Sequence, residues 1–160
     1  MAGRLLAIAA DEGVGAVFFG GPAGVTERAA ARWRQRLPAL RLDVVGAGSA
    51  IGLDGETVDG GAELLDGLRS IDPAVVLVGL GAPKQERWID RHAGALPGTK
   101  VLMGVGGAFD IWAGDLPRAP RWLRGAGLEW AWRLALQPRR LPRIFRATVV
   151  FLVRAATDGA

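Results

Sequence analysis

Three times in this chain a short apolar run ends in a cluster of glycines and gives way to a helical pattern. The clusters are Gly20-Gly21-Pro22-Ala23-Gly24, Gly79-Leu80-Gly81-Ala82-Pro83 and Gly104-Val105-Gly106-Gly107. The runs that lead into them, residues 16–20, 74–80 and 100–104, are short and apolar and read as buried strands. A fourth such run covers residues 42–46. Between them lie helical spacings. Val25, Ala29, Ala30, Trp33 and Leu37 mark a helix over 25–37, and Leu64, Leu65 and Leu68 mark one over 60–71. A third covers 83–95, with Pro83 in the first turn, where a missing N–H costs nothing. Short apolar strands alternating with helices predict an α/β fold: a parallel sheet with helices on both faces, and residues 74–80 as a central strand.

After about residue 115 the pattern changes to helices alone. Residues 1–115 read as the α/β core and residues 116–160 as a helical, arginine-rich appendage. Charge divides at the same place. The first part holds 11 Lys and Arg against 14 Asp and Glu, a net of 11 − 14 = −3. The second holds 9 against 2, a net of 9 − 2 = +7, and the two give the overall +4. A basic tail on a slightly acidic body points to an anionic partner. Over residues 139–155, Leu141, Ile144, Phe145, Thr148, Val149 and Leu152 share one helical face, with Arg140, Arg143, Arg146 and Arg154 clustered opposite and Val150 and Val153 interrupting the polar face. Its apolar run is shorter than the roughly 20 residues a bilayer span needs, so the segment reads as a helix lying on an anionic membrane surface. A nucleic-acid partner is not expected, because the arginines are confined to this amphipathic tail and no recognition motif accompanies them.

Composition removes other chemistries. There is no cysteine, which excludes disulfides, thiolate metal sites and a cysteine nucleophile. His92 is the single histidine, so a multi-histidine metal centre is implausible, and His92 itself reads as a helix-surface residue. Met1 leads straight into an amphipathic segment, LLAIAADEG, without a secretory leader pattern.

In a parallel sheet the carboxyl ends of the strands share one edge, and ligands bind in the crevice there. Glycine lets backbone N–H groups approach a ligand, and helix N-termini favour negative charge. Gly20, Gly21, Gly24, Gly81, Gly104, Gly106 and Gly107 thus outline a nucleotide or phosphate site, although each loop read singly is also an ordinary tight turn. The usual fingerprints fail. Phe109 stands where a dinucleotide motif needs its third glycine, and no GxxxxGK[ST] occurs. The segment Gly81-Ala82-Pro83-Lys84-Gln85-Glu86-Arg87-Trp88 is richer than a turn requires. Lys84 can neutralise a phosphate, and Gln85 can bond a phosphate or a sugar hydroxyl. Glu86 can be simply a first-turn acid that complements the helix dipole. Asp110 can contact a ribose or sugar hydroxyl, act as a base, or only cap a loop. Arg118, Arg121 and Arg124, beside Trp122, form either a solvated basic face or a clamp on a pyrophosphate or lipid phosphate.

The segments GAPKQERW (81–88) and GVGGAFDIWAGDLPRAPRWLRGAGLEWAWRL (104–134) closely resemble the WecG/TagA/CpsF family of bacterial glycosyltransferases, and the likeness extends over essentially the whole chain. The resemblance implies a Rossmann-like core that binds UDP at the sheet edge. It implies transfer of an N-acetylhexosamine, such as N-acetylmannosamine, from a UDP-sugar to a polyprenyl-diphosphate-linked acceptor in cell-surface polysaccharide or teichoic acid synthesis. No metal or other cofactor is implied. The protein is expected in the cytoplasm, peripheral at the inner face of the membrane, with a homo-oligomer left open. Nucleotide-sugar contacts are expected from Gly20, Gly21, Gly24, Gly81, Ala82, Pro83, Lys84, Gln85, Glu86, Gly104, Gly106, Gly107, Asp110 and Arg118, and catalytic work from Asp110 and Gln85.

Two departures stand against the family pattern. The family carries a longer N-terminal region with an aspartate regarded as its base, onto which nothing here maps. Residues 46–52 also lack the aromatic residues usual at that point. A positioned base contributes typically about 10²–10⁴-fold, so the chain as it stands is expected to bind donor yet transfer sugar poorly or not at all, with Asp110 as the only candidate substitute base. The alternative expectation is a truncated, catalytically silent module that binds UDP-sugar and associates with membranes.

Overall fold

The computed structural model describes residues 1–56, 60–117, 120 and 132. The chain divides into two compact units, Met1–Leu116 and Pro117–Ala160. The first contains helix α1 (Ala2–Asp11), strand β1 (Gly15–Phe19), helix α2 (Val25–Arg36), strand β2 (Arg41–Val45) and helix α3 (Gly61–Ile71). Strand β3 (Val75–Val78), helix α4 (Lys84–His92), a 3₁₀ turn (Ala93–Ala95), strand β4 (Val101–Gly104) and helix α5 (Ala108–Ala113) follow. In the second unit the Trp132 indole N–H donates to the Pro117 carbonyl at 3.2 Å. The helical pattern of 116–160, the amphipathic segment 139–155 and Arg118 lie outside the described residues.

The four strands form one parallel sheet in the order β2-β1-β3-β4. The Rossmann-like α/β architecture expected from the sequence is therefore present. The register levels the carboxyl ends: Phe19 pairs with Val45 on one side and Val78 on the other, and Val78 pairs with Gly104. From β1 the chain moves first outward to β2 and then, from β3 onward, the other way. The gap between β1 and β3 is therefore the point where the winding reverses, the usual place for a ligand crevice.

Side-chain alternation along the strands fills two cores. Ala16, Phe18, Leu42, Val75 and Leu77 face α1, α2 and α5, meeting Leu6, Ala29, Ala30 and Phe109. Val17, Phe19, Val76 and Val78 face α3 and α4, meeting Leu68, Trp88 and Leu96. Because both faces are covered, β3 is buried at every position, which explains its unbroken Val-Val-Leu-Val run. Phe19 and Trp88 stack with centroids 4.0 Å apart. Truncating a buried aromatic of this kind costs about 3–5 kcal/mol.

The structure departs from the expected boundaries in small ways. Residue Pro83 precedes α4 as its cap rather than sitting inside the first turn. The helix stops at His92 and tightens into the 3₁₀ turn. His92 is half-buried against the Trp88 ring at 5.0 Å rather than free on a surface. Thr26 belongs to the buried face of α2, although its hydroxyl hid it from an apolar pattern.

Candidate functional site at the carboxyl edge of the sheet

The level strand ends place the loops after β1, β2, β3 and β4 on one rim. The loop after β1 is held by its own polar groups. The Gly20 N–H donates to the Val45 carbonyl at 2.9 Å, and the buried Thr26 hydroxyl donates to the Gly20 carbonyl at 2.9 Å. Gly20 and Gly21 both have positive φ, at 72° and 82°. Space is equally restrictive: a Cβ on Gly20 would lie 2.4 Å from the Leu80 side chain, and one on Gly21 2.5 Å from the Thr26 hydroxyl. Gly24 caps α2.

Phe109 explains the failed dinucleotide fingerprint. Its ring is 1% exposed and stacks on Phe18 at 4.7 Å. A Cβ on Gly79 would approach it to 2.3 Å, and one on Gly21 to 3.0 Å. The ring therefore fills the base of the crevice between β1 and β3, where a third glycine would leave room for a helix to close on a pyrophosphate.

Gln85 ties the third loop to the fourth. It is only 9% exposed. Its Oε1 accepts the Gly106 N–H at 2.9 Å, and its Nε2 donates to Glu86 Oε1 at 2.8 Å. Gly104 must be glycine for this contact, because a Cβ there would lie 2.7 Å from Nε2. An amide has two donors and two acceptor lone pairs, so one donor and one lone pair stay available. Gly106 is held at φ 52°, and Gly107 caps α5. Gly81 has φ 75°, and its carbonyl accepts the Gln85 N–H at 3.1 Å. Ala82, Pro83 and Glu86 are exposed on the same rim. Asp110 is half-buried in the first turn of α5, and its carbonyl accepts the N–H groups of Asp115 and Leu116.

The segment after β2 completes the rim, and sequence reasoning gave it no role. The Gly48 N–H donates to the Gly21 carbonyl at 2.8 Å. The Lys84 ammonium donates to the Ile51 carbonyl, and Arg87 to the Leu53 carbonyl at 2.6 Å. Arg91 pairs with Glu56. Gly55 lies against the backbone of α4, where a Cβ would stand 2.8 Å from the Trp88 nitrogen. The available signal was the spacing of Gly46, Gly48, Gly52 and Gly55, which suits close backbone approach. One Lys84 donor is engaged there, and an ammonium has three.

Of the residues singled out from sequence, Gly20, Gly21, Gly24, Gly81, Ala82, Pro83, Lys84, Gln85, Glu86, Gly104, Gly106, Gly107 and Asp110 all lie on this edge. Arg118 is outside the described residues. The edge can do a specific kind of chemistry. The N-termini of α2 and α4 and the Lys84 ammonium lie on this rim, an arrangement that favours negative charge, while the Gly20, Gly48 and Gly106 N–H groups are bonded within the protein. His92 stands at the other end of α4, where burial, then Arg91 and Arg69, push its pKa below the ordinary value. Among the described residues no group of three or more His, Cys, Asp or Glu could hold a metal. No helix among them is long and apolar enough to cross a membrane.

Fold and rim together define a doubly wound α/β domain whose polar and glycine-rich groups gather at the carboxyl edge of its sheet. The chain belongs to the Glycosyl transferase WecG/TagA/CpsF family, whose model matches residues 1–159. It is 36% identical over 106 residues to an N-acetylglucosaminyldiphosphoundecaprenol N-acetyl-beta-D-mannosaminyltransferase of Staphylococcus aureus strain MRSA252, covering 66% of this chain and 39% of that protein. The protein of the same description from strain NCTC 8325 / PS 47 is 35% identical over 89 residues, covering 56% of this chain and 34% of its own. The aligned part thus spans less than two-fifths of the length of these curated relatives.

Proposed function

We propose that the protein is a hexosyltransferase that moves an N-acetylhexosamine, N-acetylmannosamine or a close analogue, from a UDP-sugar to a polyprenyl-diphosphate-linked acceptor. The observation that carries this reading is the gathering of Lys84, Gln85, Asp110 and the glycines of three loops on one sheet edge, in a chain of this family. The activity of the Staphylococcus aureus relatives supports this choice of sugar and class of acceptor.

In this reading the residues divide the work. The backbone around Gly20–Gly24 and Gly104–Gly107 faces the diphosphate. Lys84 adds a positive charge as UDP departs, where charge develops in the transition state. Gln85 holds the third and fourth loops together and keeps one N–H for the donor. Asp110 accepts the proton of the acceptor hydroxyl. No metal takes part in this scheme. The acceptor is membrane-bound, so the protein works at the cytoplasmic face of the membrane, held there by residues 139–155.

The test is transfer of label from UDP-N-acetylmannosamine to a polyprenyl-diphosphate-linked N-acetylglucosamine. Turnover that falls by about 10²-fold or more in Asp110→Asn supports the reading. UDP binding without any transfer favours the silent, membrane-associated binding module instead.

A further inference from the structure

A cleft of about 420 Å³ opens between α2 and α5, lined by Arg32, Trp33, Gln35, Arg36, Ile111 and Trp112. None of these residues belongs to the loops of the sheet edge. The floor is aromatic and braced by the core. Trp33 meets Trp112 edge-on with centroids 5.4 Å apart, and Trp112 rests on the buried Phe18 at 5.4 Å. The walls are cationic. The Arg36 guanidinium lies over the Trp33 ring, 5.7 Å from its centroid. The Arg32 guanidinium lies so close to Gly114 that a Cβ there would collide with it.

The arginines of α2 are not equivalent. Arg28 is paired with Asp115 at 2.5 Å, and Arg34 donates twice to the Leu42 carbonyl. Arg32 and Arg36 have no carboxylate partner among the described residues. They stand four residues apart on one helical face, where like charges repel unless an anion lies between them. Guanidinium forks match phosphate oxygens, and tryptophan suits a boundary that is apolar on one side and wet on the other.

We propose that this cleft is a headgroup site for an anionic phospholipid. The phosphate lies between Arg32 and Arg36, and the first carbons beyond it rest on Trp33, Ile111 and Trp112. The site would seat the first unit on an anionic membrane directly. It does not depend on the sugar-transfer reading, since it uses neither the sheet-edge loops nor residues 139–155.

The experiment is a titration of the full ¹⁵N-labelled chain, following the assigned indole N–H signals of its 6 tryptophans. The probes are monomeric dihexanoyl phosphatidylglycerol, dihexanoyl phosphatidylcholine and inorganic phosphate. The Trp33 and Trp112 signals should shift saturably with phosphatidylglycerol and stay in place with phosphatidylcholine. Inorganic phosphate should move them only at much higher concentration. Arg32→Ala with Arg36→Ala should weaken the phosphatidylglycerol response by about tenfold or more, from the loss of two charge-assisted contacts. Arg32→Lys with Arg36→Lys should restore part of it, and Arg4→Ala with Arg69→Ala should leave it unchanged. Shifts confined to other tryptophans would overturn the proposal. So would an equal response to phosphatidylcholine, or undiminished affinity in a folded Arg32→Ala, Arg36→Ala chain. Equal affinity for inorganic phosphate would show a free-phosphate site and overturn the lipid assignment.

Discussion

Gln85 works in two directions at once. Its oxygen fixes the Gly106 N–H, and its nitrogen fixes the Glu86 carboxylate. Replacing it with alanine leaves a half-buried N–H without its partner, which costs about 1–3 kcal/mol. Gln85→Ala should therefore lower stability by that amount and loosen the fourth loop, read as a lower thermal midpoint. Sequence alone did not disclose this strut. A polar residue in a first helical turn reads as solvent-facing or ligand-facing, and only the register of β4 beside β3 brings Gly104 and Gly106 over it. A second residue-scale prediction concerns His92. Burial, then Arg91 and Arg69, hold its folded pKa below 6.5, so the unfolded chain takes the proton first as pH falls. Its contribution to stability is intact above about 6.5, declines as pH falls through that value, and levels off below the folded pKa. His92→Gln should flatten that part of the stability curve, and thermal unfolding across this window measures it. With one histidine in the chain, the change in slope is attributable.

At the scale of elements, the packing of α5 into the crevice between β1 and β3 decides what the edge can hold. Phe109 fits only because Gly79 and Gly21 carry no side chain. Gly79→Ala should destabilise by about 1–3 kcal/mol, the usual cost of overpacking. In a Phe109→Leu background the penalty should shrink, because the atoms it strikes are gone. Denaturant unfolding of the four chains gives the coupling directly. Strictly additive losses would show that the ring does not set the requirement for glycine. The α5 helix was not legible in the sequence. It has six residues and follows a glycine run, which together give too little periodic pattern to register. The 46–56 segment escaped for a related reason: it makes backbone contacts, which have no hydrophobic period. Strands and longer helices were legible because burial on both faces forces continuous apolar runs, and burial on one face forces a stripe.

At the scale of the whole molecule, sequence pattern placed four parallel strands and their glycine loops correctly, since a parallel sheet constrains all carboxyl ends to one rim. It could not foresee that the rim is closed by cross-loop bonds, because those join residues 21 to 35 positions apart. The membrane role proposed for residues 139–155 has its own consequence. Deleting residues 139–160 should reduce sedimentation with anionic vesicles, and raising salt should reduce it in the intact chain, because screening shortens the reach of surface charge. The central claim is that the sheet edge binds UDP. Calorimetric titration of the chain with UDP tests it most directly, with Lys84→Ala and Gln85→Ala alongside and NAD as the competing ligand. The account predicts saturable UDP binding, weaker NAD binding, and a loss of about 1–3 kcal/mol in each variant. A folded chain that ignores UDP, prefers NAD, or binds UDP equally well without Lys84 and Gln85 would contradict it.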